Sequence, residues 1–218
     1  CLRNAGAHFR RLIAGHTQRD PDVVRLMGGM LQGKRVGLIG GGHMGRHLIK
    51  LLKPFEGEVW VHDPYLPREL AEAVGFVQTT LDNVFSQCDI AVCVAPLTPG
   101  TRGMIGAREL GSLRAGSIFV NVSRGAVVDS DALIERLKKG DIVAGIEAFD
   151  PEPIPPDSEL LRLENAFVSP HFGWITGTDH PYFCSLMIDE LERFFAGHEP
   201  YFELTPRAQA NRMGAPPT

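Results

Sequence analysis

Seven short runs of β-branched and apolar residues recur along the chain, and stretches with helical spacing separate most of them. The strand candidates are residues 34–40 (KRVGLIG), 58–63 (EVWVHD), 76–79, 89–95 (DIAVCVA), 117–122 (SIFVNV), 142–149 (IVAGIEAF) and 166–169. Helices are predicted over 43–53, 68–74, 81–87, 108–113 and 131–139, with Gly140 placed to end the last one. The first of these helices carries Met44, Leu48, Leu51 and Leu52 as its apolar residues. The strand runs are near-continuously apolar rather than alternating, so both faces of each strand need cover, as in a parallel sheet. Strands that alternate with helices give right-handed βαβ units wound around that sheet. The expected fold class is α/β, a doubly wound parallel sheet.

Residues 40–45 read Gly40-Gly41-Gly42-His43-Met44-Gly45, a GxGxxG pattern directly after a strand and at the opening of a helix. Gly40 permits the tight turn, Gly42 lets a pyrophosphate approach the backbone, and Gly45 lets helix and strand pack closely. Free N–H groups at the helix N-terminus then face the phosphates, with His43 and Met44 completing the turn. The second strand candidate ends in Asp63, 18 residues after Gly45, where a carboxylate can accept hydrogen bonds from a ribose diol. Pro64 and Tyr65 follow it, not Arg or Lys. A carboxylate without a basic neighbour repels a 2′-phosphate, which favours NAD over NADP. The sheet is thus expected to be a Rossmann-like NAD-binding domain.

Composition removes several other classes. The net charge is −4 and no basic run occurs, which argues against a nucleic-acid surface. No apolar stretch approaches the roughly 20 residues that span a bilayer. The four cysteines form no CxxC pair and no metal-ligand spacing, so no metal site is expected. Cys93, inside an apolar run, reads as a buried thiol, and a reducing, cytoplasmic setting fits best. The N-terminus has no apolar signal-peptide region and does not begin with Met, which suggests a fragment or a processed product.

The two ends differ from the body. Residues 2–14 are an amphipathic helix candidate, and 16–32 form a polar connection. A helix over 178–195 has a broad apolar face from Phe183, Leu186, Met187, Leu191, Phe194 and Phe195, closed by Gly197. From Pro206 onward Ala, Pro and Gly suggest a loose tail. The resulting division is 1–30 linker helix and connection, 31–176 NAD-binding domain, 177–205 C-terminal helix, and 206–218 tail.

Further motifs carry a family resemblance. Asn121-Val122-Ser123-Arg124-Gly125 is similar to the Asn-x-(Ser/Ala)-Arg-Gly motif of the D-isomer-specific 2-hydroxyacid dehydrogenases. The segment from Ala144 to Pro153 (AGIEAFDPEP) resembles that family's AG-x-D-V-F-x-x-E-P stretch. Ser169-Pro170-His171-Phe172-Gly173-Trp174, with Thr176 close behind, resembles its PHxG segment, and Pro96-Leu97-Thr98 with Thr101 its PLTxxT stretch. The motifs occur in the family's order across about residues 30–200.

The resemblance implies hydride transfer between NAD(H) and a small-molecule 2-hydroxy/2-keto acid. His171 would be the general acid/base that protonates the substrate carbonyl oxygen, a role suited to an imidazole. Glu152 would hydrogen-bond the far nitrogen of His171 and stabilise the imidazolium. Arg124 would clamp the substrate carboxylate and polarise the carbonyl. Further cofactor contacts carried over are the backbone near Ala95 and Pro96, the segment Val122, Ser123 and Arg124, and Gly173. Glu147 stands where the family usually has Asp, which contacts the nicotinamide carboxamide; the extra methylene shifts or weakens that contact. Trp174 is a candidate for lining the substrate pocket, with a packed core Trp equally open. The other histidines, His43 apart, read as structural.

Family members have a substrate domain that about 30 leading residues cannot supply, so it is expected to be largely absent here. The isolated chain is then expected to bind NAD(H) but to turn over poorly, and the resemblance implies a homodimer through the cofactor domains. A non-catalytic, NAD-sensing co-repressor-like interaction protein is the alternative, since the family includes such members.

Overall fold

Alternate residues along each central strand point into one of two cores. The computed structural model describes residues 1–16, 28–173, 180–206, 209, 210 and 213. In chain order these form α1 (Ala5–Ile13), β1 (Arg35–Ile39), α2 (His43–Leu52), β2 (Glu58–His62), α3 (Arg68–Val74), β3 (Val77–Gln78) and α4 (Leu81–Gln87). Then come β4 (Ile90–Cys93), α5 (Ala107–Ser112), β5 (Ile118–Asn121), α6 (Ser130–Lys138), β6 (Val143–Ile146), β7 (Ala166–Val168) and α7 (His180–Phe195). The strands pair in parallel in the order β3-β2-β1-β4-β5-β6-β7. This is the doubly wound sheet that the apolar runs predict.

On one face, Val36, Leu38, Ile90, Val92 and Ile118 pack with Ile49 of α2 and Phe76. On the other, Ile39, Ala91, Cys93, Phe119, Ala144 and Ile146 pack with Val84 and Phe85 of α4, Leu110 of α5 and Leu133 and Leu137 of α6. A two-residue period thus assigns each strand residue to a layer. Gly37 is where α4 comes closest: a Cβ there would meet Val84 Cγ1 at 2.7 Å and Cys88 Sγ at 2.8 Å. Arg136, buried in the second layer, ties α6 to the end of α5 by donating to the carbonyls of Leu110 at 3.1 Å and Leu113 at 3.0 Å, and it also pairs with Asp141.

Some expectations shift. In α2 the buried residues are Gly45 and Ile49, while Met44 is 66% and Leu51 69% exposed. Positions 45, 49 and 52 share one face at 3.6 residues per turn, and the close approach of Gly45 to the sheet selects that face over its neighbour. The sixth strand ends at Ile146 rather than at residue 149, and just past it the Glu147 carboxylate accepts from Gly173 N–H. Gly140, at φ 75, follows α6 as expected. In the segment expected as a loose tail, Gln209 N–H donates to the Thr205 carbonyl at 2.9 Å, a helical turn. Helix α1 lies against the β7 edge, where Gly6 meets the Phe167 ring and Arg10 donates to the carbonyls of Glu164 and Ala166.

Candidate active site

The strand ends form one register row. Ile39 pairs with His62 and Cys93, Cys93 with Asn121, Asn121 with Ile146, and Ile146 with Val168. The candidate residues follow this row: Gly40 after β1, Asp63 after β2, Ala95 and Pro96 after β4, Val122 to Arg124 after β5, Glu147 after β6, and His171 after β7. They therefore gather at the carboxyl edge of the sheet, with Gly40 and Ala95 flanking the β1–β4 crossover where the strand order reverses.

At that crossover the glycine turn is shaped by close approach. Gly40 has φ 101 and donates to the His62 carbonyl at 2.9 Å, and a Cβ on it would meet the Ala95 backbone at 2.9 Å. A Cβ on Gly45 would collide with the Gly40 carbonyl. Gly42 differs: nothing lies within 4 Å of a Cβ placed there, so its small size serves open space outside the protein. No side chain caps α2 at Gly42, so no capping side chain occupies the first-turn N–H groups. Beside the turn, Asp63 accepts from Gly41 N–H at 2.8 Å through Oδ2 and from Tyr65 N–H at 2.9 Å through Oδ1. Its carboxylate is thereby held next to the glycine turn, with lone pairs remaining on both oxygens. These residues fit a dinucleotide.

A second cluster starts at Asn121, which is buried. Its Oδ1 accepts from Ser123 N–H at 3.1 Å and Ser123 Oγ at 2.8 Å, and its Nδ2 donates to the Arg124 carbonyl at 3.2 Å. The turn so fixed presents Arg124, an exposed side chain whose Nη1 donates to the Ser123 carbonyl at 2.8 Å. Beneath it Cys93 Sγ lies 3.2 Å from Ser123 Oγ, and burial pushes that thiol above its ordinary value. Gly125 presses on the Phe149–Asp150 backbone so closely that a Cβ would collide with the Phe149 carbonyl. The loop carrying Arg124 thus abuts the loop leading to Glu152.

Glu152 in turn meets His171. Oε1 of Glu152 lies 2.5 Å from Nδ1 of His171, with the side chains 39% and 30% exposed, so the pair is open to a small molecule. The His171 backbone is left-handed, at φ 52. Among the described residues no cluster of three or more His, Cys, Asp or Glu is placed to hold a metal, and no helix is long and apolar enough to cross a membrane.

Residues 2–173 match the model of the family described as D-isomer specific 2-hydroxyacid dehydrogenase, NAD binding domain. The chain belongs to that family. It is 33% identical over 178 residues to a D-3-phosphoglycerate dehydrogenase of Methanocaldococcus jannaschii, covering 81% of this chain and 34% of that protein. It is 31% identical over 176 residues to a glyoxylate reductase of Korarchaeum cryptofilum, covering 80% and 53% respectively. It superimposes on the crystal structure of D-lactate dehydrogenase with NAD+ from Lactobacillus jensenii with a TM-score of 0.78 and 25% identity, over 94% of this chain and 64% of that one. The chain spans roughly a third to a half of the length of the curated relatives it matches.

As a family member it is an NAD-binding domain, and the glycine turn and Asp63 stand at the crossover, the general place for a ligand in such a sheet. Of the residues singled out from sequence, the structure joins Glu152 directly to His171 and Glu147 to Gly173, and seats Arg124 on the adjoining loop. His43 and Met44 are exposed at the mouth of the glycine turn, where the His43 ring lies 6.3 Å from the Phe202 ring. Val122 is 42% exposed, whereas Ala95 is 5% exposed and offers its backbone. The His62 Nδ1 lies 3.3 Å from the Thr79 carbonyl. Trp174 and Thr176 lie outside the described residues. The sequence reading missed Asn121 as an organiser; its signal was an Asn two residues before a Ser, the spacing of an Asx-turn.

Proposed function

We propose that this chain is the cofactor-binding part of an NAD-dependent oxidoreductase that interconverts a 2-hydroxy acid and a 2-keto acid, in the manner of a hydroxypyruvate/glyoxylate reductase. The observation that carries this reading is the 2.5 Å contact between His171 Nδ1 and Glu152 Oε1 at the rim that also bears Arg124. NADH, when bound, supplies the hydride for the carbonyl carbon. His171 delivers the proton to the carbonyl oxygen through Nε2, the ring nitrogen that Glu152 leaves available. Glu152 fixes the tautomer and orientation of the ring and stabilises the imidazolium. Arg124, always charged and planar, accepts the substrate carboxylate as a bidentate donor and orients the carbonyl. In the reverse direction His171 takes the hydroxyl proton.

The test is NADH oxidation with glyoxylate, hydroxypyruvate, pyruvate and bulkier 2-keto acids by the full-length protein, with His171→Ala in parallel. Failure with every 2-keto acid sinks the reading, and so does undiminished turnover by His171→Ala. The present chain alone is expected to bind NAD(H) and to turn over poorly, a view supported by its share of the relatives' length. The same reading divides the chain into 1–30, 31–176, 177–205 and 206–218 and makes it a cytoplasmic homodimer. Buried free thiols at Cys88 and Cys93 support a reducing compartment, and exposed Phe9, Leu12 and Ile13 on α1 support self-association. Sedimentation as a monomer removes the homodimer.

A further inference from the structure

The loop that carries His171 is anchored on both sides, and both anchors come from the end of β6. Ser169 N–H donates to the Ile146 carbonyl at 3.0 Å, and Gly173 N–H donates to Oε1 of Glu147 at 2.6 Å. Between these points the chain reverses tightly, with His171 N–H on the Ser169 carbonyl at 3.0 Å and His171 at φ 52. A non-glycine residue in that region costs about 1–2 kcal/mol, and it persists where neighbours over-determine the backbone. Glu147 is a firm mount for such a tie, because its own N–H donates to the Asn121 carbonyl at 3.0 Å.

We infer that Glu147 is a positioning residue for His171: its carboxylate clasps the Gly173 amide and so keeps the imidazole on Glu152. The inference rests on the role of His171 proposed above. The reach is specific to a glutamate. Retracting the acceptor by one C–C bond, about 1.5 Å, takes it out of hydrogen-bond range of an amide now 2.6 Å away. Glycine suits the partner position, since a Cβ at position 173 would meet Oε1 at 2.8 Å and Oε2 at 3.3 Å and displace the carboxylate. The clasp needs an acceptor of the right length and no charge. Glutamine therefore replaces Glu147 and aspartate does not, the reverse of the order for a residue valued for its charge or for a shorter reach to a cofactor carboxamide.

The experiment compares wild type, Glu147→Gln and Glu147→Asp. In the isotope-labelled chain, Gly173 amide exchange is expected to be slow in wild type and Glu147→Gln and about tenfold faster in Glu147→Asp. The His171 Nδ1–H resonance should persist in the first two and broaden in the third. In the full-length protein, Glu147→Asp should lower kcat about tenfold or more and by more than Glu147→Gln does. Equal Gly173 exchange in all three proteins overturns the clasp. So does wild-type kcat in Glu147→Asp alongside a loss in Glu147→Gln. If wild type turns over no 2-keto acid, the hydride-transfer reading falls, and the exchange and imidazole signals still decide the clasp.

Discussion

Nδ1 of His171 and Oε1 of Glu152 are 2.5 Å apart, although the two residues leave the sheet from different strands. The contact commits one ring nitrogen to the protein, and in the proposed reaction the other serves the substrate. Removing the ring as His171→Ala should lower turnover of a 2-keto acid about 10²–10⁴-fold with NADH affinity unchanged. Glu152→Gln should cost less, and adding it to His171→Ala should cost almost nothing more, because the two act as a unit. Steady-state kinetics of the three variants measure this; additive losses would show that they act separately.

The glycines of the turn separate into those that pack against the protein and one, Gly42, that faces open space. Gly42→Ala adds a methyl to open space, so Tm should hold within about 2 °C while NADH affinity falls about tenfold or more. Gly45→Ala forces a methyl onto the Gly40 carbonyl and should lower Tm by about 5 °C, as overpacking costs about 1–3 kcal/mol. Calorimetry with fluorescence titration of NADH distinguishes the two. Undiminished NADH binding by Gly42→Ala argues against pyrophosphate at that turn.

Asp141 carries an acid-dependent share of stability. The hydrogen bond from Arg136 beside it holds its carboxyl below the ordinary carboxylate value. A depressed folded value stabilises the fold above the unfolded pKa, about 3.9, and this is lost as pH falls through the folded value. The side chain is 41% exposed, so solvent screening keeps the effect small. Asp141→Asn should melt about 2–3 °C below wild type near neutral pH, with the gap closing below about pH 4. Melting curves across pH check this; a gap that widens in acid reverses the assignment.

The thiols should react in a fixed order. Cys184 is exposed on α7, whereas Cys88 and Cys93 are buried. Burial pushes the Cys88 thiol up to about 11, so about one molecule in a thousand is ionised there at pH 8, and burial raises Cys93 as well. Alkylation followed by peptide mass mapping should label Cys184 within minutes and reach Cys88 and Cys93 upon unfolding. Early labelling of Cys93 would contradict its place under the Ser123 turn.

Much of the fold was legible because its signals are local. Residues 81–87 and 68–74 form helices with the predicted bounds, since spacing and flanking breakers lie within a few residues of each other. Choosing the buried face of α2 was harder: Leu51 and Ile49 both suit an apolar helix, and contact with the sheet buries Ile49 at 1% exposure. The site was legible as a list of residues. Its wiring was not, because the Gly173 bond to Glu147 and the left-handed His171 backbone depend on strand register rather than on residue type.

The order of residues alone determined a parallel α/β sheet, a glycine turn for a dinucleotide and an acidic residue at the end of β2, because each is encoded by neighbours along the chain. The family resemblance already paired Glu152 with His171; tertiary structure showed the geometry of that pair and decided that Glu147 holds the loop beside it. Those pairings arise where β5, β6 and β7 end in one row, and residues remote in sequence become neighbours when hydrogen-bond register aligns the strands that carry them.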